Sequence, residues 1–272
     1  MSDTNMSSEE RRRKYAVPAL EKGLDIIEYL SDQAVPLTQS QLARALNRQP
    51  GELFRMLACL EGRGYVHRDV TNGGYALTLK LFQLARIHSP FEVLVSAARP
   101  RMRALADEVR ESCHLTVLSN RKVLVIAQEE SPNPFRLSVE VGSTHSPLRT
   151  NSGRLLLSAL EPVERERVLA TMGEWSDLGE AAKSKRLAHL KAVRAVGFAR
   201  SVGERFVGGA DLGVIIGSPS APINAALTIA ILLDSDGEAR LDRLLPPLRQ
   251  AAADITSAAG LWLTAEQATL LE

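Results

Sequence analysis

At 272 residues, with 45% hydrophobic residues and a formal net charge of +1, the chain has the length for about two domains, each with its own core. No apolar run approaches the roughly 20 residues that a membrane helix requires, and the polar, acidic start MSDTNMSSEE is unlike a signal peptide, so a cytoplasmic protein with no membrane partner is expected. Cys59 and Cys113 are far apart with no C-x-x-C, and the histidines at 67, 88, 114, 145 and 189 lack metal-ligand spacing, which argues against a disulfide scaffold or a metal site.

Residues 1–14 read as a disordered basic tail ending in Arg11-Arg12-Arg13-Lys14, either solvated or reaching for phosphates. A helix is expected over 18–30, with Leu20, Leu24, Ile27 and Leu30 inward. After a loop over 31–36, Thr38 with Gln41 has the capping-box spacing of a second helix, lined by Leu42, Ala45 and Leu46. Asn47-Arg48-Gln49 makes a turn, and Pro50 suits the first position of a third helix, where its missing N–H costs nothing. There Leu53, Leu57 and Leu60 recur at helical spacing and pack inward. The opposite side carries Gly51, Arg55, Ala58 and Gly62, one long cation among small residues, as suits a helix that lies close to another surface. Past Gly64, Tyr65-Val66-His67-Arg68 and Tyr75-Ala76-Leu77 read as two strands joined by Asp69-Val70-Thr71-Asn72-Gly73-Gly74, a hairpin turn. Helix, turn, helix and two-stranded ribbon make the winged helix-turn-helix plan over 15–78, in which the second of the paired helices enters the DNA major groove. An ordinary α+β lobe that binds nothing is the alternative. Charge favours DNA: residues 11–86 hold 12 Lys/Arg against 7 Asp/Glu, whereas 87–272 hold 21 against 22.

A linker helix is expected over 79–90 and a domain boundary near 88–91. Residues 91–272 follow as an α/β sensor and oligomerisation domain. A long helix over 91–111 turns Val95, Ala98, Met102, Leu105 and Val109 inward, against either a dimer partner or a sheet. Strands are expected over 115–118 and 123–127, around the hairpin Ser119-Asn120-Arg121-Lys122, and over 136–141. The loop 147–153 feeds a helix capped by Asn151 or Ser152, an anion-ready start. Helices over 161–172 and 180–196, strands over 197–204, 212–217 and 225–233, and a helix over 238–260 complete the chain. In that last helix Leu241, Leu244, Leu248 and Ile255 face inward.

No G-x-S-x-G, H-E-x-x-H or phosphate-binding glycine loop occurs, and nothing local supports a triad of Ser152, His145 and Asp211, so no catalytic residue and no cofactor is expected. The order of the pieces resembles the IclR-type bacterial transcriptional regulators from about Val17 to Leu261. The resembling fragments are Ala19-Leu20-Glu21-Lys22-Gly23-Leu24, Phe54-Arg55-Met56-Leu57, Leu60-Glu61-Gly62-Arg63-Gly64-Tyr65-Val66 and Tyr75-Ala76-Leu77 in the first part. In the second they are Ala98-Arg99-Pro100, Pro147 through Leu157, and Gly197-Phe198 with Gly203-Glu204 and Gly208. The resemblance implies an α+β architecture, an N-terminal winged helix-turn-helix joined by a linker helix to a GAF-like α/β effector domain. It implies a homodimer or homotetramer on a palindromic double-stranded operator and a small organic acid as effector, held by Leu148, Asn151, Ser152, Ser201, Asp211 and Thr228. The expected DNA-contacting residues are Lys14, Thr38, Arg48, Gly51, Glu52, Phe54, Arg55 and Arg68, with Arg55 on a base edge or phosphate and Lys14, Arg48 and Arg68 on phosphates. Three features depart from the family pattern, one being the loop at 147–153, which is about one residue shorter than usual. Glu52 stands at the start of the recognition helix, where it either complements the helix dipole or accepts from a cytosine amino group. Asp211 stands where a small or thiol residue is common: it points away, the ligand carries a hydroxyl or amine, or Arg149 or Arg200 offsets it. An enzyme with a DNA-binding appendage and a DNA-binding protein without a ligand are the rival readings.

Overall fold

A computed structural model describes residues 15–87, 91–204, 207–217, 223–233 and 237–261. The basic tail at 1–14, Lys14 included, and residues 88–90 of the expected linker lie outside the described residues. The chain divides into two compact units, Met1–Ser89 and Pro90–Glu272.

In the first unit, α1 (Pro18–Ser31) starts with proline at its first turn. Its buried stripe is Ile26 and Leu30, with Tyr29 partly buried, while Leu20 and Leu24 are 59% and 45% exposed. The expected stripe is thus rotated: periodicity permits both sets of residues, and packing against the third helix selects the one that includes Ile26. In α2 (Gln39–Ala45) the capping box is complete. The Thr38 N–H donates to Gln41 Oε1 at 2.7 Å and the Gln41 N–H returns to Thr38 Oγ1 at 3.4 Å. Thr38→Ala is therefore expected to lower stability by about 1 kcal/mol, read as a drop of roughly 4–8 °C in the thermal midpoint of this unit; an unchanged midpoint would show that the cap contributes nothing. Leu42 and Ala43 are buried in α2, and Ala45, expected inward, is exposed. Asn47 closes the helix with a left-handed φ of 50°, which asparagine tolerates, and the Arg48 N–H reaches back to Ala43 O at 2.8 Å.

The third helix, α3 (Pro50–Gly62), buries Leu53 and Leu57 completely. Gly64, at φ 74°, ends it, letting the Tyr65 N–H reach Leu60 O at 2.8 Å. The wing pairs β1 (Val66–Arg68) with β2 (Tyr75–Leu77), antiparallel, with Arg68 opposite Tyr75. Its turn is knotted by Asp69 Oδ1 accepting from Thr71 N–H and Asn72 Oδ1 accepting from Gly74 N–H, both at 2.7 Å. The Thr71 N–H also holds the Asp69 carboxyl below its ordinary pKa. A short helix, α4 (Lys80–Ile87), follows.

The second unit is built on a six-stranded antiparallel sheet. Its strands are β3 (Cys113–Ser119), β4 (Lys122–Glu129), β5 (Thr144–His145), β6 (Phe198–Val202), β7 (Gly209–Ile216) and β8 (Ala225–Leu232), in the order β5-β4-β3-β8-β7-β6. Between β3 and β4, Asn120 and Arg121 both have positive φ, 47° and 65°, as a two-residue primed hairpin turn requires. One sheet face is covered by α5 (Phe91–Val109) through Leu94, Ala98, Met102 and Leu105, and by α10 (Ala239–Ala258) through Leu241, Leu244, Leu248 and Ile255. The sheet, then, takes the apolar face of the long helix. The other face carries α6 (Asn151–Ala159), with Leu155 and Leu156 packed on Val123 and Ala226, and beyond it α7 (Pro162–Ala170), α8 (Gly173–Ser176) and α9 (Glu180–Val196).

Residues 136–141 do not form the expected strand. The Val139 N–H goes to the Gln128 side-chain oxygen at 2.5 Å, and Gly142 N–H to Val125 O at 2.8 Å. A side chain interposed in the ladder holds this segment off β4, so only Thr144 and His145 pair with that strand. The helix cap also differs: Thr150, not Asn151 or Ser152, caps α6 by accepting from Gly153 N–H at 3.1 Å.

Candidate functional site

In the first unit the outward side of α3 is bare. Gly51, Phe54, Arg55, Ala58 and Gly62 are all exposed, and nothing lies within 4 Å of a Cβ built on Gly51 or Gly62. Phe54 is 58% exposed, a large apolar side chain left in water beside Arg55. Among the described residues Arg55 has no hydrogen bond or ion pair, so its guanidinium is free for an external partner. Glu52 is not free: Lys22 Nζ of α1 meets its Oε2 at 2.6 Å, and this hydrogen bond and charge hold the carboxyl below the usual carboxylate range. The pair ties the start of the exposed helix to α1, and Lys22 is a partner that helical spacing within α3 had no means of revealing. Thr38 is engaged in its cap, and Gln39 Nε2 donates to Pro50 O at 2.7 Å, fixing the angle between α2 and α3. Arg48 stands 3.9 Å from Asp25, and Arg68 leans over the Tyr75 ring at 5.7 Å. Lys80, which drew no attention in the sequence, caps the far end of α3 by donating to Arg63 O.

In the second unit a cleft of about 420 Å³ opens on the sheet face that carries α6. His114 and Thr116 of β3, Val125 of β4, Asp211 of β7, and Thr228 and Ala230 of β8 form its floor. Its walls are the 137–140 segment, Ser143, His145, and Thr150 to Ser152 at the start of α6. The stretch held off β4 by Gln128 is therefore a wall of this cavity. Two glycines let the backbone close around it. A Cβ on Gly153 would stand 2.3 Å from Pro147 O, and one on Gly213 would stand 2.8 Å from Thr228 Oγ1.

Four of the six expected effector residues, Asn151, Ser152, Asp211 and Thr228, line this cleft. Leu148 and Ser201 stand behind its lining. Leu148 packs with Leu157, Leu169, Met172 and Leu190, and Ser201 Oγ donates to Asp211 Oδ2 at 3.3 Å. The Asn151 side chain donates through Nδ2 to Ala199 O at 2.8 Å, which fixes the amide so that Oδ1 is its remaining acceptor. That oxygen and Thr228 Oγ1 are buried with no hydrogen-bond partner among the described residues, although Asn151 and Thr228 are only 3% and 1% exposed. Buried polar atoms are nearly always satisfied, so two such atoms on one cleft point to a ligand.

Among the described residues no lysine or arginine lines the cleft. Arg149 meets Glu174 at 3.2 Å and Arg200 meets Asp242 at 3.3 Å, so neither is placed as the partner of Asp211. His114, Thr116 and Thr150 escaped the sequence reading of the site. The alternation of polar His114 and Thr116 with apolar Cys113, Leu115 and Val117 was the available signal. Ser152, His145 and Asp211 share the cleft, and the His145 Nε2 stands 3.1 Å from Ser143 Oγ. Cys113, on the other sheet face, is buried, and desolvation pushes its thiol up to about 12, which leaves it unreactive. Cys59 is exposed. Among the described residues no helix is long and apolar enough to cross a membrane, and no group of three or more potential metal ligands occurs.

Two family models match: the IclR helix-turn-helix domain over residues 19–70 and the C-terminal domain of bacterial transcriptional regulator IclR over residues 92–257. The chain is 30% identical over 148 residues to the probable transcriptional regulator SauR of Cupriavidus necator, covering 54% of this chain and 58% of that protein. It is 23% identical over 242 residues to the HTH-type transcriptional regulator BhcR of Paracoccus denitrificans, covering 88% and 86%. Among solved structures, an IclR homologue from Microbacterium hydrocarbonoxydans complexed with 4-hydroxybenzoate superposes with a TM-score of 0.72 at 21% identity, covering 89% of this chain and 99% of that one.

Proposed function

Because the chain belongs to the IclR family of bacterial transcriptional regulators, we propose that it is a ligand-responsive, sequence-specific regulator of catabolic genes, switched by a small carboxylic or aromatic acid bound in its 91–272 part. The observation that carries this reading is the side of α3 on which Arg55, unpaired among the described residues, stands beside exposed Gly51, Phe54 and Ala58. Such a side fits the major groove, where arginine meets guanine O6 and N7. In the cytoplasm, two copies within a homodimer or homotetramer present two such helices to a palindromic operator, with half-sites about one helical turn or more apart. Gly51, Glu52 and Phe54 border the Arg55 contact, Thr38 stands at the start of α2 beside it, and Lys14, Arg48 and Arg68 meet phosphates. The cleft holding Asn151, Ser152, Asp211 and Thr228 takes the acid, with Leu148 and Ser201 supporting it from behind. The 4-hydroxybenzoate in the Microbacterium homologue supports an acid of this size. The acid acts by binding two arrangements of the protein unequally, since equal binding switches nothing, and residues 79–90 transmit the difference.

Nuclease footprinting on the DNA upstream of the neighbouring genes tests this. Two protected half-sites whose occupancy changes on adding an acid are expected. Uniform protection of any DNA would leave a non-specific binder, and turnover of the acid by purified protein would make the molecule an enzyme.

A further inference from the structure

We propose that this cleft selects acids bearing a hydroxyl or ammonium donor, which serves Asn151 Oδ1 with Asp211 beside it, over the same acids without that donor. The inference rests on the 91–272 part being the effector site and adds the chemical class of its ligand. Asn151 Nδ2 is committed to Ala199 O at 2.8 Å, so what the amide presents to the cleft is an acceptor, and that acceptor is buried and unserved. Ala199 and Ser201 are two apart on β6 and share a sheet face. Ser201 lies directly opposite Asp211 on β7 and donates to its carboxylate. The register thus gathers the Asn151 oxygen and the Asp211 carboxylate at the β6–β7 end of the cleft, an end rich in acceptors.

The other end is mixed, with imidazoles as well as a carboxylate. His114 on β3 is paired with Thr228, and Asp211 with Ala230, so two strand spacings, on the order of 10 Å between backbones, separate His114 from Asp211. With His145 on the same lining, two imidazoles stand at the β3–β5 end; exposed Glu140 in the wall there is also acidic, so the imidazole N–H groups are the donors that end offers a carboxylate. Side chains reach inward from both ends and leave room for a ring or a short chain with an acid at one end and a donor at the other. Thr228 Oγ1, midway, is able to give or take a hydrogen bond from such a ligand.

The test is calorimetric titration of the full-length protein with matched acids: 4-hydroxybenzoate against benzoate and 4-methoxybenzoate, and lactate against propionate. The methyl ether keeps the oxygen and loses the donor, which separates donation from size. In whichever series binds, the donor-bearing acid is expected to bind at least about tenfold more tightly, the loss expected of a buried acceptor left unpaired, and Asn151→Leu is expected to shrink that ratio to about twofold. Equal affinity, or preference for the acid without the donor, overturns the proposal and leaves the effector site standing. Binding of none of these acids at millimolar concentration overturns both. If thermal unfolding shows that Asn151→Leu has not folded, Asp211→Asn makes the test from the neighbouring strand. Its affinity ratio of 4-(aminomethyl)benzoate to 4-hydroxybenzoate is expected to fall at least about tenfold below the parent's, and an unchanged ratio overturns the proposal.

Discussion

Replacing Arg55 with alanine is expected to abolish specific operator binding and leave the protein folded and in its native oligomeric state. The guanidinium is exposed and has no partner within the described residues, so its removal breaks no internal contact and moves stability by no more than about 0.5 kcal/mol. A guanidinium placed on a guanine edge contributes roughly 1–3 kcal/mol of discrimination, and an operator with two half-sites loses it twice. Fluorescence anisotropy of labelled operator at fixed salt reads the loss, and circular dichroism reads the fold. The salt slope separates two roles. A base contact leaves the slope of log K against log salt almost unchanged and relaxes sequence preference, whereas a phosphate contact lowers the slope by about one and weakens all sequences alike. Undiminished binding would remove Arg55 from both roles.

Changing Asn151 to leucine together with Thr228 to valine is expected to erase the response to the acid while operator affinity stays at the parental level. Both substitutions nearly keep shape, and both remove a buried oxygen that has no partner among the described residues. The internal cost is the bond from Asn151 Nδ2 to Ala199 O, about 1 kcal/mol by the usual net value of a hydrogen bond. An acid held by these two oxygens, by contrast, loses both hydrogen-bonding partners. Operator titrations with and without acid measure the response directly. Induction that survives the double change would put the ligand elsewhere in the molecule. A response lost together with operator affinity would point to damaged folding, which the unfolding midpoint detects.

Much of the first unit was legible before its structure. The Thr38–Gln41 box, the Asn47 turn, Pro50, Gly64 and the hairpin from Asp69 to Gly74 are all encoded within a few residues, because capping and turn formation are local. The exposure of Arg55 opposite buried Leu53 and Leu57 followed from helical spacing alone. On α1 only Leu30 of the expected stripe is buried; that Ile26 joins it in place of Leu20 and Leu24 was not legible, because only the partner surface distinguishes these apolar positions. Nor was the pairing of Lys22 with Glu52, two residues 30 apart in sequence.

The second unit divides the same way. Its five long strands, its hairpin at Asn120-Arg121 and the inward faces of its two long helices were written in period and turn chemistry, whereas the two-residue β5 was not. Its cleft was not. The missing strand at 136–141 depends on a Gln128 side chain that takes the Val139 N–H, and residue alternation does not record where a side-chain amide points. The orientation of Asn151 is fixed by a carbonyl 48 residues away, and the inward aim of Asp211 by its cross-strand neighbour Ser201. Local order in the chain thus determined most of the elements, the exposed side of α3 and the family to which they belong. Tertiary structure alone decided which polar atoms are buried without a partner, because burial and pairing are properties of segments distant in sequence brought into contact.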